Sequence, residues 1–173
     1  TCVYAADEVV WGCMDQNALN FNPDANGSDP TSCEYDVTAP TIVVNIYAQD
    51  GEQTVTEIIA GVGQVMTVDA SGCYDRLYEE GEEAGTVTKW EWDVPNEVFS
   101  QYASQNNMQQ QEVSDFFLGL GADNSVFSFI IADDFADESP LVFGLKIWDE
   151  SGNVQTWTSQ DIIINPAPEP DPD

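Results

Sequence analysis

Basic residues are almost absent from this chain. Its 173 residues include 3 Lys and Arg against 32 Asp and Glu, so its formal net charge is −29 at pH 7. Nucleic acid and anionic membrane surfaces are excluded as partners, because almost nothing is present to neutralise phosphate. Such a chain repels itself unless cations screen it. A high-salt setting and several bound divalent cations are both compatible with this charge.

Histidine is absent altogether, and the four cysteines form no C-x-x-C pair. Both facts argue against zinc and haem, and cysteines in this number fit an extracellular or cell-surface location. No stretch approaches transmembrane length. The chain has no nucleophile motif and no phosphate-binding glycine loop. Neighbouring acids such as Asp133 and Asp134 resemble the carboxylate pair of a glycosidase, but such pairs arise by chance among so many carboxylates. We therefore predict that the protein is not an enzyme.

The chain does contain enough apolar sequence for a packed core, with 42% hydrophobic residues and 5 Trp, 6 Tyr and 8 Phe. Its length allows one ordinary domain and a small accessory one. Residues 95–124 interrupt the apolar alternation and predict a long insertion with one or two short helices. Residues 166–173 read as an extended, polyproline-like linker or tail. Runs of β-branched and alternating residues predict strands over 41–47, 54–59, 64–68, 86–94, 125–131, 141–148 and 155–164.

About seven short strands with Trp92 on a central one predict an all-β, immunoglobulin-like β-sandwich over residues 38–165. In front of it lies a small module, residues 12–36, bracketed by Cys13 and Cys33. We favour a disulfide between these two cysteines, with Cys2 bonded to Cys73. The alternatives are Cys33–Cys73 with Cys2–Cys13, or Cys2 bonded to another chain or to a preceding repeat, and the sequence does not choose between them.

The bracketed module has no apolar periodicity and is rich in Asp and Asn. Asn22, Asp24 and Asn26, followed by Gly27, have the spacing that opens an EF-hand calcium loop, but Cys33 occupies the twelfth position, so this is not an EF-hand. The alternative is a solvated turn whose side chains cap their own backbone. Asn26 also begins an N-glycosylation sequon. The predicted calcium ligands are Asp15, Asn20, Asn22, Asp24, Asn26 and Asp29.

Residues 38–165 resemble the PKD (polycystic kidney disease) domain family. The resemblance rests on three motifs: DASGCYD at 69–75, WEWD at 90–93 and LKIWDESGN at 145–153. The family's F-G-D-G turn is absent, because the chain reads Val-Pro-Asn at 94–96. The resemblance implies that turn residues gather at common ends of the sandwich. A second cation site is therefore possible at Asp69, Asp75 and Asp149, with turn capping as the alternative for each.

Residues 12–35 resemble the Gly-Cys to Ser-Cys-x-Tyr repeats of secreted and surface proteins of marine microbes, which look like thrombospondin type 3 calcium loops. The matching features include Gly-Cys at 12–13 and SCEY at 32–35. The first four residues, TCVY, echo SCEY. Residues 1–11 are therefore expected to end a preceding repeat or to form an N-terminal strand. The resemblance implies a location and an architecture, and no biochemical activity.

These features predict a non-enzymatic extracellular structural protein, a cell-surface or filament subunit stabilised by calcium and disulfides. Its expected partner is itself, in a homopolymer or surface layer, with possible glycan attachment. The insertion, the N-terminal segment and the tail are the candidate contacts between subunits. The alternative is a glycan-binding or adhesin accessory module of a larger secreted protein. Glycan binding would need a row of exposed aromatic side chains.

Overall fold

The computed structural model describes residues 8–49, 51–54, 57–76, 84–136 and 140–166. The chain divides into two compact units, Thr1–Thr38 and Ala39–Asp173. The fold is predominantly β, as predicted, with two short α-helices in its described part. None of the described helices is long and apolar enough to cross a membrane.

The first unit contains little regular structure between residues 8 and 38, the part that is described. Strand β1 (Trp11–Gly12) pairs in parallel with β2 (Gly27–Ser28), and a 3-10 turn follows at Pro30–Ser32. Cys13 and Ala18 are the only buried hydrophobic residues among the described residues of this unit. The unit therefore depends on its disulfide and on polar contacts more than on a core.

Within its described residues, the second unit contains three three-stranded sheets and one two-stranded ladder. The sheet orders are β10-β6-β3, β12-β11-β9 and β13-β5-β4, and β7 pairs with β8. All pairings are antiparallel except the parallel pair β13–β5. The strands are β3 (Asn45–Ala48), β4 (Glu52–Gln53), β5 (Glu57–Gly61), β6 (Val65–Asp69), β7 (Asp75–Arg76), β8 (Ala84–Gly85), β9 (Val87–Asp93), β10 (Val126–Ile130), β11 (Gly144–Asp149), β12 (Val154–Thr158) and β13 (Asp161–Asn165).

The predicted strand over 155–164 is in fact two strands in different sheets, β12 and β13. Ser159 and Gln160 separate them. The Ser159 backbone N–H donates to the Phe143 carbonyl at 2.8 Å, and its hydroxyl donates to the Gln160 carbonyl at 2.7 Å. The chain thereby leaves β11 and joins β5, where Ile162 and Ile164 are buried. Strand-forming residues lie on both sides of Ser159 and Gln160, so the sequence contained no clear sign of this change of sheet.

The predicted insertion contains two helices, α1 (Asn96–Asn106) and α2 (Gln110–Phe117). Helix α2 begins with a capping box between Gln109 and Glu112, which satisfies two of its free backbone N–H groups. Helix α1 covers the free edge of β10. The Gln105 side chain accepts from the Ile130 N–H at 2.9 Å and donates to the Ser128 carbonyl at 3.4 Å. This amide takes the place of a neighbouring strand and protects the edge from pairing with another chain.

We expect Gly119→Ala, just after α2, to destabilise the protein by about 1–3 kcal/mol. Gly119 has a φ of +66°, and a Cβ there would collide with the Trp90 carbonyl oxygen. The matched control is Gly121→Ala, because a Cβ at Gly121 meets no atom within 4 Å. Urea unfolding of both variants tests this. Equal losses of stability in the two variants would contradict the steric explanation.

Candidate cation site

Asp149 ends strand β11 with its side chain on the buried face of the sheet. Leu145 and Ile147 precede it at alternate positions and are both buried, and Asp149 itself is 3% exposed. Its Oδ1 accepts from the Asn153 backbone N–H at 2.8 Å across the turn to β12. Its Oδ2 is buried and has no hydrogen-bond partner among the described residues. The buried face of β11 thus consists of two apolar side chains and one carboxylate.

Asp75 lies in the ladder between β7 and β8, where it faces Gly85. Its side chain is 1% exposed. A Cβ at Gly85 would lie 2.5 Å from Oδ2 of Asp75, so only glycine leaves room for the carboxylate at this position. The sequence did not predict this role for Gly85, because nothing local distinguishes it from an ordinary turn glycine.

The structure brings Asp75 and Asp149 together, as the second predicted cation site required. One carboxylate oxygen of each lies within 4.8 Å of the other. Two like charges buried this close are costly unless a cation or a proton compensates them. Of the three basic residues, Lys89 pairs with Glu91 at 3.2 Å, Lys146 lies over the ring of Trp148, and the side chain of Arg76 lies outside the described part of the structure. The arrangement could hold a metal ion, and its donors are all oxygens.

Asp69, the third residue of that prediction, does not join the described pair. It lies at the end of β6, where its Oδ1 accepts from the Ser71 N–H at 2.9 Å and the Ser71 hydroxyl at 2.6 Å. Asp69 therefore caps its own turn, which was the alternative to cation binding. The two bonds leave Asp69 with a structural role that needs no ion.

In the first unit, the predicted calcium ligands make hydrogen bonds within their own loop. Asn20 donates to the Ser32 carbonyl at 2.6 Å and accepts from the Glu34 N–H at 3.0 Å. Asn22 accepts from the Asp24 N–H at 3.0 Å, and Asp29 accepts from the Thr31 N–H at 3.1 Å. The contacts of Asn22 and Asp29 are Asx-type contacts to the local backbone, whereas those of Asn20 join segments 12 and 14 residues apart.

Asp15 and Asn26 tie distant parts of this unit together. The Tyr35 hydroxyl donates to Asp15 at 2.8 Å, across 20 residues. The Asn17 backbone N–H, the larger influence, and the Tyr35 hydroxyl hold the pKa of Asp15 below its ordinary value. The exposed Asn26 accepts from the Val10 N–H at 2.8 Å and donates to the Glu8 carbonyl at 3.3 Å. Its glycosylation stays a prediction.

The carboxylates of Asp15, Asp24 and Asp29 do not form a group of three within 4.8 Å of one another in this fully described stretch. Asp36, near the end of the unit, is buried, and its Oδ1 accepts from the Thr38 N–H at 2.9 Å. Calcium binding by the loop therefore stays a prediction. Of the two predicted sites, the one in the β unit has the stronger geometric support.

The Cys13–Cys33 disulfide is present, with a Cα–Cα distance of 4.9 Å. It excludes the alternative that paired Cys33 with Cys73 and Cys2 with Cys13. Cys73 is a half-buried thiol, and its sulfur lies 3.4 Å from both the N and O atoms of Val43. Burial is the main reason why the pKa of this thiol is raised. Cys2 lies outside the described residues, so the Cys2–Cys73 pairing stays a prediction.

The tryptophans of the β unit do not form an exposed row. Trp92 is buried, as predicted, and its indole N–H donates to the Asn124 carbonyl at 2.9 Å. Trp90 packs against the same core. Trp148 and Trp157 lie on opposite faces of their sheet, because Trp157 is the register partner of Leu145 and Trp148 that of Val154. This geometry gives little support to a flat glycan-binding surface.

No protein-family model matches this chain, and a search of curated proteins finds no relative. The resemblances to PKD domains and to the marine repeats therefore rest on the motifs quoted above.

Proposed function

We propose that the protein is a non-enzymatic extracellular structural protein, a cell-surface or filament subunit whose units are held by a disulfide and by calcium. The β unit is best interpreted as an immunoglobulin-like, PKD-like sandwich. Its sheet orders, with the parallel β13–β5 pair beside antiparallel sheets, support this interpretation. The observation that carries the calcium proposal is the buried pair Asp75 and Asp149.

Calcium suits this pair better than a softer metal does. Calcium takes six to eight oxygen ligands, and two carboxylates supply up to four of them. Backbone carbonyls and water would supply the others. No cysteine or histidine joins the pair in its described surroundings, so a metal that prefers sulfur or imidazole has no reason to bind here. A divalent cation would also compensate the buried charge.

Calcium is expected to raise the melting temperature of the protein. At a concentration about 100 times the dissociation constant, binding to the native state adds about 2.7 kcal/mol of stability. This corresponds to a rise of roughly 5–10 °C for a unit of this size. Calorimetry with calcium, with magnesium and with a chelator measures the effect. An unchanged melting temperature in calcium and in chelator would refute the proposal.

Asp149→Asn provides the sharper test, because its effect on the melting temperature should have opposite signs in chelator and in calcium. In chelator the variant should melt above the wild type, since one of two buried like charges is removed. In calcium it should melt below the wild type, since a ligand is lost. Asp93→Asn, at the exposed end of β9, removes the same charge and should show neither effect. If a shared proton and not calcium compensates the two carboxylates, the melting temperatures of the wild type and both variants should not depend on calcium.

A further inference from the structure

The sheet β10-β6-β3 buries one face in the core and turns the other to solvent. Met66 and Val68 of β6 are fully buried on the inner face, so the residues that alternate with them lie on the outer face. In the register of the strands the outward residues form three rows: Val126–Asp69–Asn45, Ser128–Thr67–Tyr47 and Ile130–Val65. The large apolar members of these rows are 38–52% exposed: Tyr47, Val65, Val126 and Ile130. Exposed apolar side chains gathered on one face are typical of an interaction surface.

This outer face carries almost no charge. Among the outward residues described for its three strands, Asp69 alone is charged, and it lies at one end of the face. The neutral surface continues into helix α1, which bonds to the edge of β10 through Gln105, because residues 98–111 contain no charged side chain. The outer face of the sheet β12-β11-β9 differs, since it carries four charged residues over β9 and β11: Lys89, Glu91, Asp93 and Lys146. One apolar, neutral surface thus lies on a chain with a net charge of −29.

We propose that this outer face binds the same face of a second copy of the chain, a contact that rests on the self-assembly proposed above. The centres of protein interfaces are depleted of charged residues. Here the depletion is a requirement, because two copies with a charge of −29 each repel one another wherever their carboxylates approach. A basic partner would gain more from the acidic surfaces and has no reason to select a neutral one. The charge distribution therefore favours a partner as acidic as the chain itself.

The polar groups at the centre of the face do not oppose its burial. The hydroxyl groups of Thr67 and Ser128 lie side by side on β6 and β10 and share a hydrogen bond of 2.8 Å. Each therefore keeps a partner when water is excluded, and a second copy need not supply one. The contact uses the same surface on both copies, so it is isologous and closes into a dimer. Longer assemblies then need a second contact elsewhere on the dimer.

The size of the face indicates a weak contact. Three strands of this length cover roughly 14 Å by 17 Å, and helix α1 adds a strip about 10 Å wide. The resulting area, roughly 400 Å² per copy, is about half of what each partner buries in a standard stable interface. The dimer should therefore form at high protein concentration, or where a further contact already holds the copies together.

The test is dimerisation of the protein in saturating calcium, measured by sedimentation equilibrium over a wide range of protein concentrations. Val65→Glu should weaken the dimer on the order of tenfold, because it places a carboxylate between two acidic chains. Val154→Glu is the matched control, since Val154 is also a 38% exposed valine on a strand, but of the other sheet. It should change the dissociation constant less than about twofold, because one more exposed charge is screened.

Two further variants separate charge from folding. Tyr47→Glu, at a residue that is 52% exposed, should repeat the effect of Val65→Glu at a second position of the face. Val65→Thr keeps the position neutral and β-branched, so it should retain most of the dimer. Circular dichroism and the melting temperature of each variant show that it is folded, so loss of the dimer is not confused with unfolding.

Salt provides a second measurement whose sign is characteristic of this contact. Raising NaCl from about 0.05 M to about 0.5 M at constant calcium should tighten the wild-type dimer severalfold, because salt screens the repulsion between the two chains. A contact held by attraction between opposite charges, or by calcium ions between carboxylates of two copies, should weaken instead.

The outcomes distinguish this contact from the general proposal. Dimers that form equally well with Val65→Glu and Val154→Glu, or that weaken in salt, would overturn the contact and leave the face to a partner of other chemistry. Longer assemblies that still form with Val65→Glu would then leave the structural function standing. Dimers that follow the expected pattern but never grow longer would support the contact and contradict the filament. A protein that is monomeric at every concentration would overturn both.

Discussion

Replacing both Cys13 and Cys33 with serine is expected to unfold the first unit while the β unit stays folded. The disulfide closes a separation of 20 residues, which corresponds to about 3 kcal/mol in the loop-entropy model. Little else can offset that loss, because the unit buries only two hydrophobic residues in its described part. The loop's Asn and Asp contacts are largely solvent-exposed and contribute little individually.

Hydrogen exchange resolved by residue measures this effect. The Leu19 N–H, bonded to the Glu34 carbonyl at 2.7 Å, and the Asn22 N–H, bonded to the Cys13 carbonyl at 2.8 Å, should lose protection. Amides of β6 and β11 should keep theirs. Met14→Ser, at an exposed neighbour of Cys13, controls for the new hydroxyl. Protection at Leu19 and Asn22 that survives loss of the disulfide would show that the polar contacts alone hold the unit.

Phe127→Ala is expected to destabilise the β unit by about 3–5 kcal/mol. Phe127 is buried in β10 and links the sheet to the insertion. Its ring meets Trp92 and Phe117 edge-on, with centroids 5.2 Å away in both cases, and Tyr102 at 6.1 Å. Truncation leaves a cavity among rigid rings that cannot collapse to fill it. The two helices should therefore detach before the sheets unfold.

Denaturant unfolding and limited proteolysis test this together. Tyr47→Ala is the control, because Tyr47 also lies on a strand of the same sheet but is 52% exposed. This substitution should lower the free energy of unfolding much less than Phe127→Ala does. Cleavage within 95–124 should be faster in Phe127→Ala than in the control. Equal stability of the two variants would mean that the insertion does not depend on this aromatic cluster.

Several features of the molecule follow from the order of residues alone. Alternation in Thr86–Val94 predicted β9, because a strand buries every second side chain. The predicted strand over 141–148 overlaps β11, which the structure extends to Asp149. The break at Pro95 predicted the insertion, and the cysteine bracket favoured the Cys13–Cys33 bond. These are local properties, set by periodicity, proline and spacing.

Other features depend on contacts between residues far apart in sequence, and only the tertiary structure decided them. The sequence proposed Asp69, Asp75 and Asp149 as one site; the fold brings Asp75 and Asp149 together and leaves Asp69 capping its own turn. It also decided that the predicted strand over 155–164 is divided between two sheets and that both lysines lie over the Trp148 ring. The physical reason is that periodicity fixes which way a side chain faces along its own strand, whereas its neighbours depend on which strands pair and in which register.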